Sequence, residues 1–219
     1  MTPAEALREK LAVAVFPDDL FGENCYLIRR RDTTAALVVD PGLQVDRVLG
    51  RVRQDGLTVE RILVTHGHID HVGGVPRMHA ETGAPVAMHP DDLAILDWDP
   101  YGDLPNLPSG FGPFTIDTSL AQDTTLSFQD VSLRVLHTPG HTQGSVCFLF
   151  GLDCYAGDTL FQRGIGRTDL PGGDTQKIVF SIRNVLYRLP PKTVVYPGHG
   201  PSTTIEEEML LNPFVPADR

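Results

Sequence analysis

The stretch THGHIDHVGG (65–74) puts His66, His68, Asp70 and His71 into six consecutive positions. Three later stations carry the same residue types: His141 in TPGHT, Asp158 in AGDT and His199 in YPGHG. Neutral imidazole and carboxylate are the usual nitrogen and oxygen ligands of Zn²⁺ and related divalent ions. His66 and His68 stand two apart, so in an extended or turning segment they can grip one ion. Asp70 and His71 lie a step further on, where the chain bends, and can reach a second. The set sorts into His66, His68 and His141 for one metal and Asp70, His71 and His199 for the other, with the two oxygens of Asp158 bridging them. Each site keeps a position open for water. Two ions about 3.5–4 Å apart can share a hydroxide whose parent water has its pKa brought toward about 7. The chemistry is then hydrolysis at neutral pH, with Asp70 both ligating and orienting the nucleophile.

The bland explanation is that a buried histidine is a satisfied core residue and an Asp before a turn is a cap. It is kept here for His79, His89 and His137. It fits the seven-residue set poorly, because five of the eight histidines lie in that set, each beside a glycine or at an expected strand end.

Such a set needs strands that end on one edge. Residues 24–30 and 35–40 read as a strand pair split by a polar turn, and 59–66 as a strand running into the histidine motif. Residues 84–89 form a short strand, 124–130 with 132–140 and 144–150 with 154–158 form two hairpins, and 193–200 is a last strand ending at His199. Helical spacing marks 45–56, 73–83, 90–97 and 205–211, and most clearly 175–189, where Ile178, Ile182, Val185, Leu186 and Leu189 share a face. Strands followed by helices in each half suit two packed sheets with helices outside both. The proline-rich stretch 99–114 has no periodicity, and is either a loop over one edge of the active site or an inert surface excursion.

The 219 residues fit one large domain, 1–219, able to bury a full core. The net charge of -10 argues against nucleic-acid or anionic-membrane partners. The three cysteines, Cys25, Cys147 and Cys154, form no C-x-x-C pair, and the apolar run 11–16 is too short for a signal or membrane segment. A cytosolic protein, monomer or homodimer, is the expectation.

THGHIDHVGG, TPGHT, GDTLF and YPGHG together resemble the metallo-β-lactamase superfamily, over nearly the whole chain from FGENCYLI onward. The resemblance implies an α/β (α+β) fold, a four-layer αββα sandwich of two mixed β-sheets flanked by helices, with two divalent metal ions (Zn, Fe or Mn) at one edge. It also implies that Asp40 in VVDPG sits behind the metal ligands and supports them; the plain alternative is a turn former. An Asp at 158, with GDTLFQRGIGRTDLPGGD (157–174) and GHGPSTT…NPF, is similar to short bacterial glyoxalase II-like proteins, the hydroxyacylglutathione hydrolase branch. That branch implies hydrolysis of S-lactoylglutathione or a related small-molecule thioester. Full-length glyoxalase II has an added C-terminal helical domain that supplies much of the glutathione site, whereas here only about twenty residues follow His199.

The Gly-Arg-Thr-Asp element is shared with persulfide dioxygenases, which implies an alternative: one Fe(II) held by His66, His141 and Asp158, oxidising glutathione persulfide. In those proteins the matching Arg contacts glutathione, so Arg167, and less directly Arg163, would anchor a substrate carboxylate. An Arg167–Asp169 structural turn is the equal alternative. A purely structural metal site is disfavoured, since such sites are coordinatively closed.

Overall fold

The computed structural model describes residues 3–96 and 114–216. Helix α1 (Pro3–Lys10) leads into a six-stranded mixed sheet of β1 (Leu11–Pro17), β2 (Asn24–Arg30), β3 (Ala35–Val39), β4 (Thr58–Leu63), β5 (Val86–Met88) and β6 (Thr118–Ser119), in that spatial order. Pairing is antiparallel from β1 to β3 and parallel from β3 to β6. Between these strands lie α2 (Val45–Gln54), α3 (Ile69–Val72) and α4 (Val75–Thr82). The second sheet takes β7 (Thr125–Phe128), β8 (Val131–His137), β9 (Val146–Phe150) and β10 (Asp153–Gly157). After a small hairpin of β11 (Leu160–Phe161) and β12 (Gly164–Ile165) and helix α5 (Thr175–Asn184) come β13 (Val194–Pro197), β14 (Thr203–Thr204) and α6 (Ile205–Leu211). Its order is β14-β13-β10-β9-β8-β7, with β10 and β13 parallel.

Side chains alternate along a strand, so a strand buried on both faces feeds two different cores. Tyr26 and Ile28 of β2, Leu37 and Val39 of β3, and Phe148 and Phe150 of β9 face into one apolar layer between the sheets. The intervening Cys25, Leu27, Ala36 and Val38 turn outward, under Val48, Leu49 and Val52 of α2 and Val75 and Met78 of α4. Cys147, Cys154 and Ala156 turn the other way, under Ile178 and Ile182 of α5 and Ile205 of α6. Three apolar layers between four structural layers make this the four-layer αββα sandwich, of mixed α and β content. All three cysteines are free and buried.

Several elements differ from the sequence reading. The run 11–16, rejected as a membrane segment, is an edge strand in full antiparallel register with β2. The helix expected over 73–83 is α4 alone, and the tight turn of α3, carrying Asp70 and His71, precedes it. Of the helix expected over 90–97, Pro90–Ile95 form a 3₁₀ turn instead of an α-helix, and residue 97 lies outside the described residues. The helix of 175–189 ends at Asn184 and continues as a 3₁₀ turn over Leu186–Arg188, so its apolar face is made by two pieces. Residues 99–113 of the proline-rich stretch lie outside the described residues. Among the described residues no helix is long and apolar enough to cross a membrane.

Candidate metal centre

The centre lies where β3, β4, β8, β10 and β13 end, at one edge of the paired sheets. His66 and His68 follow β4, Asp70 and His71 sit in α3, His141 is in the β8–β9 turn, Asp158 follows β10 and His199 follows β13. The two sheets are joined at this edge by the Val146 amide, which donates to Thr65 O at 2.9 Å.

His66 Nε2, His68 Nδ1 and His141 Nε2 form a triangle with sides of 3.1, 2.8 and 3.2 Å. The groups behind the rings of His66 and His141 fix their tautomers. His141 Nδ1 donates to Arg167 O at 2.7 Å. Thr65 spends its single hydroxyl proton on Asp40 Oδ2 at 2.6 Å, so at 3.1 Å its oxygen accepts from His66 Nδ1. Nε2 of both rings is therefore a bare lone pair, and the 3.2 Å contact between these two atoms is repulsive without a cation. Donors about 2.0–2.1 Å from a tetrahedral ion stand about 3.3 Å apart, close to the triangle found here.

The second group is built alike. His71 Nδ1 donates to Asp40 Oδ2 at 3.0 Å and His199 Nδ1 to Phe21 O at 3.2 Å, which aims both Nε2 atoms inward. His199 Nε2 lies 3.2 Å from Asp70 Oδ2. Asp158 Oδ1 is 3.4 Å from His71 Nε2, while its Oδ2 is 3.6 Å from both His141 and His199. That carboxylate therefore faces both groups. His71 Nε2 and Asp158 Oδ1 are buried with no hydrogen-bond partner, and a buried polar atom left so is costly. A cation shared by these atoms fits the donor set. The trio His66–His68–His141 and the set Asp70–His71–His199 each have the proximity to hold an ion, as does His66–His71–Asp158.

Electrostatics follow this packing. Burial, then the neighbouring histidines, pushes His66 well below the ordinary imidazole value and His68 down to about 3. Burial works against the charge of Asp70 and Asp158, but His71 and His199 hold both carboxyls below the usual range. Burial likewise opposes protonation of His71 and His199; the surrounding carboxylates outweigh it and raise both.

Close approach of the chain is part of the construction. A Cβ on Gly198 would stand 2.1 Å from Asp158 Oδ1, and one on Gly166 would stand 1.8 Å from Asp158 O. Helix α5 supports the His141 turn from behind: the Asp174 amide donates to Gly140 O at 2.8 Å and Ser181 Oγ to Pro139 O at 2.8 Å.

Asp40 lies behind the histidines. Its Oδ1 accepts from the Thr65 amide at 2.7 Å and its Oδ2 reaches both Thr65 and His71, so it orients two of the five histidine rings. Arg167 lines the cleft of about 340 Å³ above the centre, with its guanidinium bound to both oxygens of Asp169 at 2.7 Å. Arg163 is exposed on the β11–β12 turn, its amide donating to Glu208, and is not among the residues lining the cleft.

His79, His89 and His137 stay out of the central cluster. His79 is exposed rather than buried, with Nδ1 donating to Ala84 O, while His89 and His137 stack at 4.3 Å. Sequence reading missed two buried acids. Glu23, raised well above the carboxylate range chiefly by burial, accepts from Gln44 and lies 4.0 Å from His71 Nδ1. Asp92, inside the expected helix of 90–97, is 1% exposed and bonds to the loops of three histidines.

An αββα sandwich with a histidine–aspartate cluster at the strand-end edge is the architecture of a metal-binding hydrolase. The family model of the metallo-beta-lactamase superfamily matches residues 18–199, and the chain belongs to that superfamily. The hydroxyacylglutathione hydrolase GloC of Haemophilus influenzae is 33% identical over 211 residues, covering 93% of this chain and 97% of the relative. The crystal structure of BLEG-1 B3 metallo-beta-lactamase superposes with a TM-score of 0.84 at 34% identity, covering 93% of this chain and 99% of that one. TTHA1623 in a di-iron-bound form gives 0.81 at 34% identity, covering 92% and 100%. ETHE1 from Myxococcus xanthus gives 0.80 at 30%, covering 95% and 86%.

Proposed function

We propose that the protein hydrolyses thioesters of the hydroxyacylglutathione type, S-lactoylglutathione among them, at a two-metal centre. The observation that carries this reading is Asp158: one buried carboxylate whose two oxygens face imidazole nitrogens of both groups. Likeness to GloC and to a di-iron structure supports it. His66, His68 and His141 would hold one ion, Asp70, His71 and His199 the other, and Asp158 both. Zinc, iron or manganese bound there supplies Lewis acidity and a water acidified toward neutral pH.

The chain's own residues do the rest. Asp70 Oδ2, beside His199 Nε2, takes one proton of the attacking water and aims its lone pair at the carbonyl carbon. A C–O bond forms, the C–S bond breaks, and the proton held by Asp70 passes to the departing sulfur, so that a carboxylic acid and a thiol result. Phe21, Ile69, Phe161 and Ile165 line the cleft and exclude bulk water from the acyl group. Arg167 anchors a substrate carboxylate at the rim by exchanging it for Asp169.

A one-iron persulfide dioxygenase using His66, His141 and Asp158 is the second reading, favoured by the Gly-Arg-Thr-Asp element at 166–169. It leaves His71 Nε2 buried without a cation, which weighs against it. Elemental analysis of protein purified anaerobically, joined to a thioester panel and to oxygen uptake with glutathione persulfide, separates the two. Two metal equivalents with thioester cleavage support the hydrolase. One iron with oxygen uptake replaces it.

A further inference from the structure

Three of the seven central residues hang on two loops from opposite sheets. His66 and His68 flank Gly67 after β4 of the first sheet, and His141 precedes Thr142 after β8 of the second. Their nitrogens are nonetheless held within 2.8–3.2 Å of one another. Something other than the strands must lock one loop against the other.

One carboxylate touches both. Asp92 Oδ2 accepts from the Gly67 amide at 2.9 Å and from Thr142 Oγ1 at 2.7 Å, and Oδ1 accepts from the Gly144 amide at 2.6 Å. Gly67 is the residue between the two histidines of the first loop. Thr142 and Gly144 follow the histidine of the second. Thr142 is itself fixed: its proton goes to Asp92, its oxygen accepts from Ser145 Oγ at 2.7 Å, and its amide donates to that oxygen at 3.1 Å. Both loops close directly onto the 3₁₀ turn. A Cβ at Gly144 would lie 2.7 Å from the Asp92 carboxylate, and one at Gly67 would lie 3.1 Å from Asp92 O and 2.8 Å from Ile95. Asp92 lines no part of the cleft and belongs to none of the metal-competent groups among the described residues.

We infer that Asp92 is a positioning residue that ties the His66–His68 loop to the His141 loop and thereby sets the geometry of the first metal group. The inference rests on reading that trio as a metal site. A carboxylate suits the task because all three of its partners are donors and it has lone pairs for each. Asparagine offers one oxygen, and its NH₂ would face a backbone N–H. Groups that orient ligands from behind typically cost 10–100-fold in metal affinity when lost.

The test uses the full chain with Zn²⁺, titrated against a chromophoric chelator, on wild type, Asp92→Asn and Asp92→Ala. The expected result is two equivalents in wild type and, in the variants, one of the two weakened about 10–100-fold, more in Ala than in Asn. The kcat of the variants should fall at limiting Zn²⁺ and recover in excess, with KM unchanged, a rescue that general misfolding would not allow. Should Asp92→Ala fail to fold, Thr142→Val removes one of the three bonds and should weaken the same equivalent several-fold. Folded variants that bind both equivalents with wild-type affinity overturn the inference. A wild type that binds no Zn²⁺ overturns the metal reading itself, and the inference with it.

Discussion

Asp40 concentrates the logic of the centre in one side chain. It accepts from His71 directly and reaches His66 through the hydroxyl of Thr65. Its backbone stands at φ 49°, in the left-handed region, which Asn tolerates as well as Asp. Asp40→Asn should therefore fold, keep one acceptor, and lose about 10–100-fold in metal affinity, read by chelator competition. His68 makes a different statement. Burial holds its folded pKa at about 3, against about 6.5 in the unfolded chain. In metal-free protein its contribution is whole above about pH 6.5 and is lost as pH falls toward 3, because only the unfolded chain takes up the proton. Between pH 6.5 and 5 that loss is about 2 kcal/mol at about 1.4 kcal/mol per pH unit. Urea unfolding in chelator should show His68→Gln less sensitive to this pH drop by about that amount, and equal sensitivity would contradict the burial argument.

Elements decide how close these residues come. Gly198 lies between the end of β13 and His199, where any side chain would meet Asp158 Oδ1 and His71 Cε1. Gly198→Ala should displace the Asp158 carboxylate while leaving His66, His68 and His141 in place. On the two-metal reading, metal analysis is expected to find one equivalent fewer than in wild type; an unchanged content would show that the strand end can give way. At this scale the sequence was legible where the period of two was strong, as in Val131, Leu133 and Val135 of β8 against Ser132 and Arg134. The seven central residues were legible because glycines and strand ends flank them. The edge strand β1 was not, since a seven-residue run with small alanines carries little signal of its own. Nor was α3, a single turn of four residues. Asp92 was invisible for another reason: its partners lie 25, 50 and 52 residues away. The second of two aspartates after His-Pro says nothing of which distant groups it will meet.

At the scale of the molecule, the centre is a clasp between two sheets. Its donors come from the ends of β4, β8, β10 and β13 and from α3, and several of them repel or go unsatisfied unless a cation sits among them. An ion bound only by the folded chain stabilises it by mass action, about 4 kcal/mol when free metal is a thousandfold above Kd. For a chain of this length each kcal/mol is worth roughly 2–4 °C, so removing one such ion should lower Tm by about 8–16 °C in calorimetry at fixed pH. The loss should be local before it is global. Amides of 65–72, 138–145 and 197–200 should exchange faster after chelation, while Leu37, Val135 and Phe148, fully inside the layer between the sheets, keep their protection. A chelated protein with unchanged Tm and unchanged exchange at these loops would mean that hydrogen bonds such as those of Asp40 and Asp92 hold the edge unaided. In that case the metals would serve chemistry alone and contribute nothing to the fold.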